Sequence, residues 1–202
     1  MSQLAISAVD QSQRIALAQY FTPSWLAQRM VGWIAPLLDD ATRRAYTLRI
    51  LEPSAGRGAL IAPLLARCPG AIIDALDLDP SHARSLSSFP VRVECCDYLT
   101  RRAPDKRYDV GISNVPFTDG METAHLAKQM DECDRLIPQL PIRALHGGER
   151  FERIWSRIGV DWWLRRIAYL VKRPYPNASD DIVVLDLRRV PGSCDAIEWW
   201  KP

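Results

Sequence analysis

Apolar residues recur at helical spacing from Leu26 through Met30, Val31, Ile34, Leu37 and Leu38, with Thr22-Pro23 just ahead of them. A threonine N-cap followed by proline at the first helical position satisfies or removes N–H groups that a helix start leaves without partners. The pattern therefore predicts a helix over 22–38, disturbed near Pro36. Beyond it the chain changes to short apolar runs bounded by turn residues. These predict strands over 48–51, 72–78, 91–98, 108–113, 135–142, 166–172 and 181–187. Between them, helical patterns cover 59–68, interrupted by Pro63, then 80–88, 122–132 and 149–158, the last with Phe151, Ile154, Trp155 and Ile158 on one face. Strands alternating with helices predict an α/β fold, a mostly parallel sheet covered on both faces. No internal repeat or linker divides the chain, so residues 1–202 are expected to form a single domain.

Composition narrows the class. The chain has 202 residues, 48% apolar and 25% charged, enough for one ordinary core. The longest apolar stretches, 30–38 and 59–66, fall short of the roughly 20 residues a membrane span needs, so no membrane association is expected. The N-terminus lacks the pattern of a secretory signal, and five cysteines are odd in number and scattered, so the expected compartment is the cytoplasm. The formal net charge is only +2, but from Arg143 to Arg173 eight basic residues stand against three acidic ones. That stretch suits a polyanion such as DNA. The Trp162-Trp163 pair is either a stacking platform or core, the second being commoner.

The first chemical signal is Glu52-Pro53-Ser54-Ala55-Gly56-Arg57-Gly58, directly after a buried strand, with Asp77 closing the next strand 21 residues beyond Gly56. Small residues let the backbone turn sharply and approach a ligand, and a carboxylate so placed accepts from ribose hydroxyls. Nicotinamide dinucleotides and S-adenosylmethionine (SAM) both fit this spacing. No glycine run leads into Lys-Ser or Lys-Thr, which disfavours a phosphate loop. Asp97 follows the third strand, where a carboxylate either accepts from an adenine amino group or caps a turn. Cys95 and Cys96 read as strand residues, and His82, His125 and His146 are isolated, so none is given chemistry.

After the fourth strand stands Ser113-Asn114-Val115-Pro116-Phe117. This segment resembles the Asn-Pro-Pro-aromatic loop of SAM-dependent amino-methyltransferases, above all the adenine-N6 DNA methyltransferases. Three further pieces stand in that family's order: Gln-Tyr-Phe-Thr-Pro at 19–23, Leu-Glu-Pro-Ser-Ala-Gly-Arg-Gly at 51–58 and Asp-Leu-Asp-Pro at 77–80. The resemblance covers about 19–189 and weakens after Phe117. It implies a Rossmann-like class I methyltransferase fold with a seven-stranded sheet, SAM as cofactor and no metal. It places Tyr20, Phe21, Thr22 and Pro23 by the methionine end of SAM, and Glu52, Ser54, Ala55, Gly56 and Gly58 around the methionine and sulfonium. Asp77 with Leu78 would hold the ribose side, and Asp97 with Tyr98 would frame the adenine.

An adenine exocyclic amine is a poor nucleophile because its lone pair is delocalised into the ring. The resemblance implies that the Asn114 side-chain oxygen and the Val115 carbonyl accept its two hydrogens and direct the lone pair toward the methyl group by positioning and electrostatics. Pro116 holds Val115 extended, and Phe117 offers a face to an extruded base. Val115 replaces the family's usual first proline, which leaves the loop one constraint fewer. The same loop occurs in enzymes acting on RNA bases or protein glutamine, and a non-catalytic relative would keep only the binding functions. DNA adenine is favoured by the Gln-Tyr-Phe-Thr-Pro element and the basic stretch. Cytosine-C5 chemistry is disfavoured because the sequence has no Pro-Cys pair. With the last strand expected to end near Arg189, no separate target-recognition domain is expected. Recognition would then come from loops or a partner chain, as suits a compact phage or mobile-element enzyme.

Overall fold

The computed structural model describes residues 21–118, 120–175 and 180–202. Helix α1 (Ser24–Arg44) is followed by strand β1 (Arg49–Glu52), α2 (Ile61–Arg67), β2 (Ile72–Asp77), α3 (Pro80–Leu86), β3 (Arg92–Cys95) and β4 (Val110–Asn114). Then come α4 (Met121–Glu132), β5 (Arg135–Pro141), α5 (Gly148–Arg153), β6 (Trp163–Leu170), β7 (Ile182–Arg188) and β8 (Ala196–Trp200), with 3-10 turns at Ile142–Leu145 and Trp155–Arg157. The strands form one sheet in the order β3-β2-β1-β4-β5-β7-β6-β8. Strands β1 to β5 are mutually parallel where they pair, β7 is antiparallel to both its neighbours, and β8 is parallel to β6.

Cover on both sheet faces explains the solid apolar runs: Val183, Val184, Leu185 and Leu187 on the antiparallel β7 are buried, like Ile50 and Leu51 on the parallel β1. The chain order reverses between β1 and β4, which pair side by side, and ligands of open α/β sheets lie at the carboxyl ends of strands at such a switch point. Glu52 ends β1, Asp77 ends β2 and Asn114 ends β4, so the topology brings the expected site residues to one edge.

Several expected boundaries moved. Helix α1 runs six residues past Leu38 and straight through Pro36, because Met30, Ile34 and Leu38 anchor it in the core. Its N-cap is Pro23, not Thr22, and no side chain caps it. In α2, Pro63 falls in the first turn, where its missing N–H removes no helical hydrogen bond. The expected helix over 149–158 is a six-residue helix followed by a 3-10 turn. Phe151 is 59% exposed while Ile154 is buried, so the four apolar residues do not share one buried face. Strand β6 starts at Trp163, earlier than expected, because Arg165 and Arg166 interrupt the apolar pattern without interrupting the strand. Strand β3 is shorter than expected, ending at Cys95.

The sheet has eight strands among the described residues where seven were expected. The addition, β8, buries Trp200 against Trp33 of α1 with ring centroids 4.7 Å apart, and Glu198 accepts from both indole N–H groups at 3.2 and 2.7 Å. Trp162 is fully buried, with the Arg189 guanidinium 5.8 Å from its ring centroid, so it belongs to the core and is no stacking platform. Among the described residues no helix is long and apolar enough to cross a membrane.

Candidate active site

The turn after β1 is built by two glycines with positive φ, Gly56 at 53° and Gly58 at 84°. The Gly56 N–H donates to Asp77 Oδ2 at 2.7 Å, tying the turn to the end of β2, and the Asp79 N–H donates to Asp77 Oδ1 at 2.9 Å. His82 Nδ1 lies 3.1 Å from the same Oδ1. The buried His82 ring meets Phe21 edge-on with centroids 5.5 Å apart, and the Arg57 guanidinium lies 5.0 Å from the Phe21 ring centroid. A Cβ at Gly56 would sit 3.6 Å from the Phe21 ring. Phe21, Gly56, Asp77 and His82 thus form one cluster, and His82, isolated in sequence, is part of it. Tyr20 lies outside the described residues.

Glu52 is 1% exposed; its Oε1 accepts from the Ser54 N–H at 3.1 Å, while its Oε2 has no hydrogen-bond partner. Burial pushes its carboxyl well above the usual carboxylate range; the Ser54 hydrogen bond opposes this and the charge of Asp77 adds to it. Ala55 is buried beside Glu52, and its N–H donates to the Leu76 carbonyl at 2.8 Å. Leu78, next to Asp77, is 59% exposed. Asp97 accepts from the Leu99 N–H at 2.9 Å, the geometry of a turn cap. Tyr98 is buried with its hydroxyl donating to Glu132 Oε2 at 3.1 Å.

At the end of β4, both ends of the Asn114 amide are held by side chains. Its Nδ2 donates to the Tyr175 hydroxyl at 2.9 Å and its Oδ1 accepts from Gln139 Nε2 at 3.0 Å. Gln139 also donates to Tyr175, and Thr22 hydrogen-bonds the same hydroxyl. This network joins the segment before α1 to the end of β4. The preceding Ser113 donates to Gln129 Oε1 at 2.9 Å. Val115 is buried and Phe117 is only 6% exposed. Arg143 donates to the Phe117 carbonyl and pairs with Asp180. The Phe117 ring is therefore covered in this conformation.

Sequence reasoning missed Gln139, Tyr175 and His82. Gln139 had one visible signal, a lone amide inside the apolar run Leu136 to Leu140, and Tyr175 sits between two prolines in a turn. The basic stretch is less available than its charge count suggested. Arg143, Arg150, Arg153, Arg157, Arg165 and Arg173 all pair with carboxylates, and Glu122, Asp131, Asp180, Asp181 and Asp195 among these partners lie outside the stretch.

No protein-family model matches the chain, and no curated protein sequence matches it. Solved structures do. The type I restriction-modification system methyltransferase subunit from Streptococcus thermophilus superposes with a TM-score of 0.69 at 15% identity over 85% of this chain, which spans only 45% of that subunit. A Listeria monocytogenes protein assigned to the class I SAM-dependent methyltransferases gives 0.65 at 14% identity, over 96% of this chain and 71% of that one. The chain has the class I SAM-dependent methyltransferase fold. A Pyrococcus horikoshii protein assigned as an RNA methyltransferase shares that methyltransferase fold, with a TM-score of 0.67 at 18% identity over 88% of this chain and 90% of its own. Strand β8 extends the methyltransferase sheet beyond β6, and the glycine turn, Asp77 and Asn114 all lie on the sheet edge where this fold class reverses its strand order.

Proposed function

We propose that the chain transfers a methyl group from SAM to the exocyclic N6 amino group of an adenine in DNA. The observation that carries this reading is Asn114, held by Gln139 and Tyr175 at the carboxyl end of β4 and followed by the Val115 carbonyl.

The cofactor edge fits SAM. An orphaned, buried Glu52 oxygen beside a glycine turn suits the cationic methionine end, Asp77 suits ribose hydroxyls, and the exposed Leu78 suits an apolar ring face. SAM supplies a methyl group on a positively charged sulfur. Gly56 lets the backbone come close, Phe21 covers it, and His82 with two backbone N–H groups fixes the Asp77 carboxylate.

On the substrate side, an amide oxygen has two lone pairs, so Asn114 Oδ1 accepts from a substrate amine while still accepting from Gln139. Together with the Val115 carbonyl it binds both amine hydrogens and favours a tetrahedral nitrogen with its lone pair available. An adenine reaches this position only after leaving the base stack, and Phe117 stacks on it only once the ring is uncovered. The likeness to a methyltransferase subunit of a restriction-modification system supports DNA and partner subunits; this chain spans 45% of that subunit.

The test is labelled-SAM transfer to single- and double-stranded DNA, RNA and protein, with identification of the modified nucleoside or residue. Label in N6-methyladenine is expected. Asn114→Ala should lower the rate about 100- to 1,000-fold while SAM affinity stays near wild type. Full activity in that variant, or label on another group, overturns the proposal.

A further inference from the structure

Gln139 is fully buried on β5, among Leu136, Ile137, Pro138 and Leu140. Burying a primary amide in such a strand is costly unless its hydrogen bonds are used. They are used on one side only: Nε2 donates to Asn114 Oδ1 at 3.0 Å and to the Tyr175 hydroxyl, while Oε1 is buried with no hydrogen-bond partner. A residue kept for packing would be better served by leucine or methionine, and one kept as a general polar filler would satisfy both ends. The sheet register explains the reach: Asn114 and Gln139 are direct partners in the parallel β4–β5 pair, so their side chains leave the same face side by side.

We infer that Gln139, assisted by Tyr175, is a positioning residue that sets the polarity of the Asn114 amide, oxygen toward its own N–H and nitrogen toward the tyrosine hydroxyl. An asparagine amide turned by 180° would present N–H groups where the proposed reaction needs an acceptor. With its Nε2 aimed at both Asn114 Oδ1 and the Tyr175 hydroxyl, Gln139 disfavours this, because that nitrogen can only donate. Tyr175 cooperates by accepting from Asn114 Nδ2. The inference rests on the proposed role of Asn114 and adds the device that orients it.

The test exploits an isosteric change of polarity. A carboxyl introduced by Gln139→Glu donates to Asn114 Oδ1 when protonated and only accepts when ionised, whereupon the Asn114 amide turns over. The titratable group facing this position is Tyr175, whose hydroxyl burial pushes up to about 12, against the hydrogen bonds from Gln139, Thr22 and Asn114. It therefore stays neutral between about pH 5 and 9. The other register partner of Gln139, Val184 on β7, does not titrate.

For Gln139→Glu, kcat should be near wild type at the acid end and fall about 10- to 100-fold as pH rises, the scale of a misplaced reacting group. KM for SAM should be unchanged, and the wild type should show no such decline. Gln139→Leu should be low at every pH, and adding it to Asn114→Ala should cost nothing further.

A second readout needs no turnover. In the protein without cofactor, the Asn114 side-chain NH2 resonances should shift with pH in Gln139→Glu and stay fixed in wild type. A pH-independent kcat and unmoved Asn114 resonances in Gln139→Glu overturn the positioning role. If Asn114→Ala retains full activity, the functional proposal fails instead, while the Asn114 resonances still decide the orientation.

Discussion

Replacing Glu52 with glutamine should make the protein more stable and its cofactor site weaker, two effects with a single cause. The wild-type carboxyl is buried, with Oε1 bonded to the Ser54 N–H and Oε2 unpartnered, and burial raises its pKa in the folded state. The sign follows from linkage. With the folded pKa above the unfolded one, the contribution to stability is fully present below the unfolded pKa and is lost as pH rises toward the folded pKa. Within that window the unfolded chain ionises and the folded chain does not, so wild-type stability falls by up to about 1.4 kcal/mol per pH unit. Glu52→Gln keeps an acceptor for Ser54 and has no such slope. For a domain of this size 1 kcal/mol moves Tm by about 2–4 °C, so the Tm difference between variant and wild type should widen by roughly 3–5 °C per pH unit from about pH 4.5 upward. SAM binding should weaken, because a cation no longer meets a carboxylate. A hydrogen bond to a charged group is worth about 1.5–3 kcal/mol, or about 10- to 150-fold in Kd. Thermal scans from pH 4 to 8 and titration calorimetry with SAM measure the two arms. Parallel Tm–pH curves would refute the buried-acid argument; unchanged SAM affinity would refute the placement of Glu52 at the cationic end of the ligand.

Three other outcomes follow from named contacts. Gly58→Ala should cost about 1–3 kcal/mol in urea denaturation, because φ is 84° and a Cβ would lie 2.6 Å from the Phe89 ring. Asp186→Asn should cost about 3–5 kcal/mol by leaving the Arg135 guanidinium buried beside a neutral partner, whereas Arg135→Met with Asp186→Leu together should cost much less. Affinity for duplex DNA should fall with salt, and Arg166→Ala should lower the log–log slope by about 0.9 if that side chain contacts a phosphate; a slope unchanged by every substitution in the basic stretch would move the DNA contact elsewhere.

What could be read from the sequence divides by range. The runs at Ile50-Leu51, Ile73 to Leu76 and Val110 to Ile112 gave the parallel sheet because burial on both faces leaves a local signature, and Gly56, Gly58 and Asp77 gave the turn because the geometry acts within a short stretch of chain. Strand β8 escaped because Ala-Ile-Glu-Trp-Trp is short and pairs with β6, some 30 residues away. The network of Thr22, Asn114, Gln139 and Tyr175 has no spacing rule to betray it, since four separate segments contribute one residue each. The excess of basic residues along 143–173 is no guide to free charge for the same reason: Glu122, Asp131 and Asp195 arrive from other parts of the fold. The neighbouring Pro23 makes Thr22 look like a helix cap, but it caps nothing and turns instead to Tyr175, a partner visible only in three dimensions.

The two ends of the sheet divide the labour of folding and function. At the amino end of β5, Arg135 makes a bidentate pair with the fully buried Asp186 at 2.9 and 2.8 Å and also donates to the Trp33 carbonyl at 2.8 Å. Burial pushes the Asp186 carboxyl up, but hydrogen bonds from Arg188 and Arg135 outweigh it and hold the group below its usual range. At the amino end of β1, the Arg49 N–H meets Asp109 at 2.7 Å and its guanidinium donates to the Lys106 carbonyl at 2.8 Å. These buried and half-buried polar groups are matched by partners from the protein itself. At the carboxyl end, Glu52 and Gln139 each bury an oxygen without a hydrogen bond, and Leu78 stands exposed. The unpartnered Glu52 oxygen is unfavourable in the isolated protein, and on the proposed function it becomes favourable when the cationic end of SAM is bound against it. Stabilising changes at the carboxyl edge should therefore tend to weaken ligand binding, whereas those at the amino edge leave it untouched, and the opposite signs expected for Glu52→Gln are one instance of that rule.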